Sequence, residues 1–279
     1  MLGEKLKNML LYLILSGLAL MVLMPIVWVG VSSFQTDEQI FEHLMPFSWK
    51  AFFPENPNLG AYYSVFIEKN FGRALLNSVV ITSLTVFFGL VFNAMCGFAF
   101  AVFDFKGKNF LFSLVLVTFM IPFEAISIPL YQVVNAFQWI DTYQGLVLPG
   151  VANGLTVFLF RQFFLEVPKE YIDAGTIDGA SWWTIFSKIY IPLSVPVVIS
   201  AGLILFIFQW EAFLWPLIAG RSPAMKVIQV AITDLNEENA VRWSQIFAAC
   251  TIAVVIPALL VIPLQRFYVR GVASSGIKG

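Results

Sequence analysis

The sequence predicts an all-α polytopic membrane protein with six transmembrane helices and both termini in the cytoplasm. Three observations predict it. Of 279 residues, 59% are hydrophobic and only 12% charged, whereas a soluble domain carries roughly 25% charged residues. Six long apolar runs stand out, at about 10–34, 75–103, 110–134, 144–165, 197–218 and 244–268, and none alternates with period two. Lysine and arginine are shared unevenly between the segments that join these runs.

A helix needs about 20 apolar residues to cross the hydrocarbon core, while a membrane barrel shows short alternating strands. A lone helix satisfies its own backbone hydrogen bonds in lipid, so each run reads as a helix. The first run follows Lys5 and Lys7, as a signal peptide would. It is too long for a signal core and has no clear small-x-small cleavage site, so it reads as a retained span. With both termini inside, the inner segments hold 10 Lys and Arg against 6 outside, and 6 acids against 9. The bias agrees with the positive-inside rule. The remaining two acids, Glu124 and Glu211, fall within spans.

The connections follow in order. The external segment 35–74 is long and rich in proline and aromatics, including Met45-Pro46-Phe47 and Phe52-Phe53-Pro54, and is expected to fold as an outer cap. Asp104–Lys108 is a short inner turn, and Asn135–Tyr143 a short outer one. Ala219–Trp243 is an external polar loop containing Asp234, Glu237 and Glu238, with Pro223 marking a turn near its start. The whole chain, 1–279, reads as a single transmembrane domain. A net charge of −1 offers no basic field for nucleic acid. Cys96 and Cys250 sit in apolar stretches as small hydrophobes, and His43 stands alone. A structural zinc site or a Ser-His-Asp triad within the chain is thereby disfavoured.

The one sizeable inner loop, 166–196, reads EVPKEYIDAGTIDGASWWTIFSKIYIPLSVP. The pattern predicts two short helices around a glycine turn. Pro168 suits a first helical position ahead of Lys169–Ile177. Gly179 can take a positive φ, and Ala180–Tyr190 forms the second piece until Pro192 and Pro196 stop it. So apolar a helix on a water-facing loop either lies on lipid headgroups or is covered by another protein, and physics alone weighs the two equally.

The same loop carries a specific spacing. It resembles the EAA loop of ABC importer permeases, with the pattern E-A-A-x3-G-x9-I-x-L-P. The letters fall on Asp173, Ala174, Gly175, Gly179, Ile189, Ile191 and Pro192, with Asp173, Gly175 and Ile191 as the departures. Ile177-Asp178-Gly179-Ala180 is similar to the carbohydrate-uptake branch of that family. Asn77-Ser78, Met120-Ile121-Pro122, Trp210–Leu217, Gln265–Gly271 and Lys278-Gly279 extend the resemblance to the maltose-type permease with six spans. The branch usually carries Asn-Glu-Phe or Asn-Asp-Phe after the fifth-span tryptophan, where this chain has Glu211-Ala212-Phe213.

The resemblance implies the type I ABC importer permease (MetI-like) fold, in the inner membrane of a bacterium. It also implies partners: a second homologous permease, an ATPase dimer that binds ATP and Mg, and an extracytoplasmic solute-binding protein. No cofactor is expected in this chain, which has no G-x-x-x-x-G-K-[ST] phosphate loop; Gly107-Lys108 is followed by Asn109. The implied mechanism is alternating access. ATP closes the ATPase dimer, and the coupling residues Asp173, Ala174, Gly175, Asp178, Gly179 and Ala180 transmit that motion to the spans. Such a switch needs two states that ATP binds differently. Asp173 is expected to pair with an ATPase base or to cap the coupling helix. Gly175, in place of alanine, is expected to loosen that helix at a cost of roughly 1 kcal/mol. The loop 221–243 is expected to reach into the binding-protein cleft.

Glu124 and Glu211 are costly in lipid, and each lies about 14 residues from the inner start of its span, roughly 21 Å up at 1.5 Å per residue. Both are expected to face the translocation cavity, with Pro122, Pro129 and Pro216 breaking helices nearby. A carboxylate accepts hydrogen bonds from sugar hydroxyls, and Trp210 or Trp215 could stack on a sugar face. Asn153, beside Gly150 and Gly154, is a further cavity candidate, while Asn77, Ser78, Thr82, Ser83 and Asn93 are expected to bond between helices. Phe158–Phe164 (FLFRQFF) also resembles permeases for glycerol-phosphate-type solutes, so such a solute is the alternative to a carbohydrate. An intramembrane enzyme would need a clustered nucleophile, base or metal set, and none is found.

Overall fold

The computed structural model describes residues 2–42, 44, 48–54, 56–236 and 241–276, with side chains from 5 to 265. His43, Met45-Pro46-Phe47, Glu237, Glu238 and Lys278-Gly279 lie outside the described residues. In chain order the elements are α1 (Leu2–Ser32), α2 (Asp37–Glu42), a 3₁₀ turn (Trp49–Phe52), and α3 (Gly60–Tyr63) running into a π-helical turn (Ser64–Glu68). Then come α4 (Phe71–Val102), α5 (Lys108–Met120), α6 (Phe123–Ala136), α7 (Tyr143–Val151), α8 (Gly154–Glu166) and α9 (Glu170–Ile177). The loop ends with α10 (Trp182–Thr184), a π-helical turn (Ile185–Tyr190) and α11 (Ile191–Leu193). The chain finishes with α12 (Val195–Trp210), α13 (Leu214–Ala219), α14 (Ile228–Asp234) and α15 (Trp243–Gly276).

Three helices are long and apolar enough to cross a membrane unaided: Lys5–Ser32, Phe71–Val102 and Trp243–Gln265. Three bent pairs pass the same test, giving six in all. The third pair bends at Ser194, ahead of the fifth span; the breaks near Pro122 and Pro216 are expected from the sequence, while the one at Ala152–Asn153 in the fourth span is not. Between α5 and α6 the axis turns by 102°. Pro122 lacks an N–H, and its ring forces Ile121 into an extended conformation, φ −76° and ψ 123°. The fifth span stops at Trp210 rather than running to Ile218, and resumes only at Leu214. In a continuous helix the Pro216 ring would strike the Ala212 carbonyl one turn back, so the chain unwinds there. Pro129, also expected to break its helix, sits inside an unbroken α6.

The chain divides into two compact units, Met1–Gly72 with Ala231–Ile256, and Arg73–Val230 with Pro257–Gly279. In the first, α1 presents an apolar surface with none of its best window buried, as a helix facing lipid or a partner must. The described residues of segment 35–72 fold into short helical turns. Asp37 accepts the Ser244 N–H at 2.7 Å, Gln245 donates to the Ser64 hydroxyl at 2.8 Å, and Trp28 meets Phe247 edge-on with centroids 5.2 Å apart.

Among the described residues the second unit holds three apolar clusters, of which the smallest gathers Phe100, Phe112 and Val157. Of the larger two, one gathers Ile81, Val134, Leu146, Val147 and Trp215; the other gathers Phe98, Phe160, Phe164, Ile185, Phe186 and Tyr190. The start of α4 is a polar clamp. Asn77 is fully buried; its amide donates to the Ala224 and Lys226 carbonyls, each at 2.9 Å, and its oxygen accepts from Tyr143 Oη at 2.9 Å. Ser78 Oγ accepts the Ile228 N–H at 2.8 Å. These residues therefore tie down the first part of the loop after α13.

Candidate functional site

Two places in the second unit carry the candidate chemistry. The first is the inner hairpin. Val167, before Pro168, is extended at ψ 124°, so helix α9 starts at Glu170 and Pro168 sits just outside it. The turn falls at Asp178–Gly179, where Gly179 has φ +72°, a conformation that a Cβ disfavours. Ser181 then caps the second arm by accepting the Thr184 N–H at 3.2 Å. Pro192 lies within the helical run, and the arm ends at Ser194 instead.

The hairpin divides into a root and a tip. At the root, Phe98 on α4 makes ring contacts with Phe103, Phe164, Phe186 and Tyr190, at centroid distances of 5.8, 6.1, 5.2 and 4.9 Å. Ile185 and Tyr190 are each 1% exposed. At the tip, Ile177 is 86% exposed, Trp182 50% and Trp183 60%. Asp173, Ala174 and Asp178 are exposed on the outer side of α9, and Ala180 is half-buried. Asp173 makes no side-chain hydrogen bond to the helix among the described residues, so it does not cap α9. Gly175 is buried, and a Cβ there would lie 3.3 Å from both Ile185 Cγ1 and Ile189 Cδ1. It draws the two arms together, where loosening was expected.

The second place is a cavity of about 500 Å³, whose lining includes Glu124, Asn153, Glu211 and Trp215 together with Thr85, Gly150 and Gln209. Four of the five residues picked from sequence thus share one cavity. Both carboxylates are exposed, and neither has a side-chain hydrogen bond or ion pair among the described residues. Trp210 is not in this lining. It is 4% exposed, stacked on Phe206 at 5.6 Å, and its carbonyl accepts from Gln229. Trp215 is 6% exposed, and its indole N–H donates to the Gly145 carbonyl at 2.9 Å. Pro149 explains this bond: having no N–H, it leaves the carbonyl four residues back unpaired, and Trp215 replaces the missing donor. Both indoles are therefore committed to the scaffold.

Thr85, Gly150 and Gln209 were not foreseen. At Gly150 a Cβ would stand 2.5 Å from Gln209 Oε1 and 3.1 Å from Thr85 Cγ2, so a larger residue there would push the Gln209 side chain aside. The Thr85 hydroxyl is buried with no partner among the described residues. Only the clash geometry exposes this trio, since none of the three residue types signals a site by itself. Arg161 is occupied elsewhere: its guanidinium lies over the Phe112 ring at 4.2 Å, and Nε donates to the Phe100 carbonyl at 3.3 Å. The described residues contain no group of three or more metal-ligating side chains.

The family described as the binding-protein-dependent transport system inner membrane component matches residues 90–274, which include the hairpin loop and all of the cavity lining except Thr85. The chain belongs to that family. The permease is 35% identical over 233 residues to the arabinooligosaccharides transport system permease protein AraQ of Halalkalibacterium halodurans, with 82% of each chain covered. It is 30% identical over 273 residues to the sn-glycerol-3-phosphate transport system permease protein UgpE of Brucella melitensis, with 96% of this chain and 97% of that one covered. Its fold matches a chain in the crystal structure of a bacterial ABC transporter involved in the import of the acidic polysaccharide alginate. That match has a TM-score of 0.81 at 20% identity and covers 95% and 97% of the two chains. The permease is thus the membrane subunit of an ABC importer and not an enzyme.

Proposed function

We propose that this permease forms half of the pathway by which a carbohydrate crosses a bacterial cytoplasmic membrane. A second homologous permease supplies the other half. Two ATPase subunits hold ATP and Mg beneath the hairpin, and an extracytoplasmic binding protein delivers solute above. The observation that carries the reading is the division of the hairpin into a buried aromatic root and an exposed apolar tip. A groove on an ATPase covers Ile177, Trp182 and Trp183, since a water-facing apolar knob of this size calls for a partner. Asp173 and Asp178 lie at its rim, where they meet basic side chains. Ala174 and Ala180 keep the contact close, and Gly175 and Gly179 set the hairpin's shape. Displacement of the tip passes through interlocked rings to α4, α8 and α12, because packed cores move as units instead of deforming. Helix α12 ends at the cavity with Gln209 and Glu211.

The cavity favours a neutral polyhydroxylated solute. Its lining holds two carboxylates and side-chain amides, but no lysine or arginine. Carboxylates accept hydrogen bonds from hydroxyls and repel anions. A glycerol-3-phosphate-type solute, the alternative suggested by the UgpE likeness, would want cations there. Glu124, Glu211 and Asn153 line the path, and Trp215 braces its wall. The transporter reconstituted in proteoliposomes with its partners tests this. Glu211→Gln should cut uptake about tenfold or more, the scale of one charge-assisted hydrogen bond, with the ATPase rate retained. Unchanged uptake removes Glu211 from the path.

A further inference from the structure

The fourth span breaks at Ala152–Asn153, between α7 and α8, with a bend of 43°. No proline occupies the break. Ala152 and Asn153 are both extended, with ψ 115° and 109°. In a continuous helix the Val151 carbonyl would accept from Leu155, and the Asn153 N–H would donate to Pro149. The break orphans both groups, and a buried orphan in a membrane segment is costly.

One side chain replaces both bonds. Asn93 on α4 is 3% exposed; its amide donates to the Val151 carbonyl at 2.9 Å, and its oxygen accepts the Asn153 N–H at 3.1 Å. The Asn153 side chain then caps α8 by accepting the Thr156 N–H at 3.0 Å. The unwound turn is also a partition. Ala152 and Asn153 line the carboxylate cavity of about 500 Å³, and they also line a second cavity of about 390 Å³ with Asn93, Cys96 and Thr118 on its walls.

We propose that Asn93 is a positioning residue for transport: its two hydrogen bonds hold the unwound turn of span four as the wall between the two cavities, and this latch sets how much solute moves per ATP. A carboxamide offers a donor and an acceptor side by side at this reach and keeps both at any pH. The inference rests on the reading of the carboxylate cavity as the solute path.

The test uses the complete transporter in proteoliposomes, with uptake and ATP hydrolysis measured on the same samples. Asn93→Leu keeps the branched shape and removes both bonds. It should assemble, retain ATP hydrolysis, and transport about tenfold less solute per ATP. Asn93→Asp adds a readout that a merely structural role would not move. While protonated, its carboxyl can both donate to Val151 and accept from Asn153; once ionised it loses the donor. Its uptake per ATP, relative to the unmodified chain, should therefore fall as pH rises. A ratio that stays unchanged in both variants overturns the proposal, as does a proportional loss of uptake and hydrolysis in both. If Asn93→Leu fails to assemble, the pH profile of Asn93→Asp decides alone. Loss of uptake in Glu211→Gln with none in Asn93→Leu refutes the latch and leaves the path standing; no loss in either refutes the path itself.

Discussion

The hairpin and the cavity lie in one compact unit and are built on opposite principles. The hairpin root is an interlock of rings around Phe98, with Ile185, Phe186 and Tyr190 buried in it. The cavity wall includes unwound turns at 152–153 and 211–213; Asn93 holds the first by two hydrogen bonds, and Trp215 braces helix α7 through the Gly145 carbonyl. Ring packing loses energy steeply when it is displaced, so it suits an element that must move as a piece. A hydrogen bond can be exchanged for another one nearby, which suits a wall that must change shape. The difference teaches that the hairpin root is built for stiffness and the cavity wall for replaceable contacts, as the proposed coupling and solute path require.

The comparison can be broken or sharpened by substitution. The largest effect belongs to the root. Phe98→Ala should destabilise the permease by about 3–5 kcal/mol, as aromatic truncation in a core does, and should abolish coupling. Thermal unfolding of the assembled transporter and its stimulated ATPase rate read the two effects, and a normal melting temperature would break the contrast. Next comes the tip. Ile177→Asp puts a charge where burial against the ATPase is expected, at a cost of about 2–3 kcal/mol in docking and none in the permease itself. Pull-down of the ATPase together with the permease's own melting temperature separates these. In the cavity the sign reverses. Thr85→Val removes an orphaned buried hydroxyl at equal shape and should stabilise by about 1 kcal/mol; a loss of stability would mean that the hydroxyl has a partner. The smallest effect is Gly175→Ala. The gain of about 1 kcal/mol in helix propensity is set against two isoleucine side chains at 3.3 Å, leaving a net change within about 1 kcal/mol. A large loss would show that the arms cannot part by even a few tenths of an ångström.

How legible the molecule was differs between its parts for a physical reason. The spans, the inner loop and its glycine turn follow from apolar length, charge and backbone sterics, which are properties of short stretches. Glu124 and Glu211 could be picked out because a carboxylate in lipid is costly wherever its neighbours lie. Of the two tryptophans picked from the sequence, Trp215 lines the cavity and Trp210 does not; an indole next to a cavity and an indole inside a wall look alike in sequence. Trp210 stacks on Phe206 and Trp215 serves the carbonyl that Pro149 leaves bare.

The sequence by itself determined the solvent the chain lives in, the helices it forms and the loop that carries the glycine turn, because these depend on hydrophobicity and spacing along the chain. Only the tertiary structure decided which helices unwind, which side chains take over their lost hydrogen bonds, and that carboxylates 87 positions apart share one cavity. Those outcomes depend on partners brought together from distant positions, as when Asn93 meets Val151 and Asn153 across about 60 residues, and the free energy of such a contact is written in no single segment.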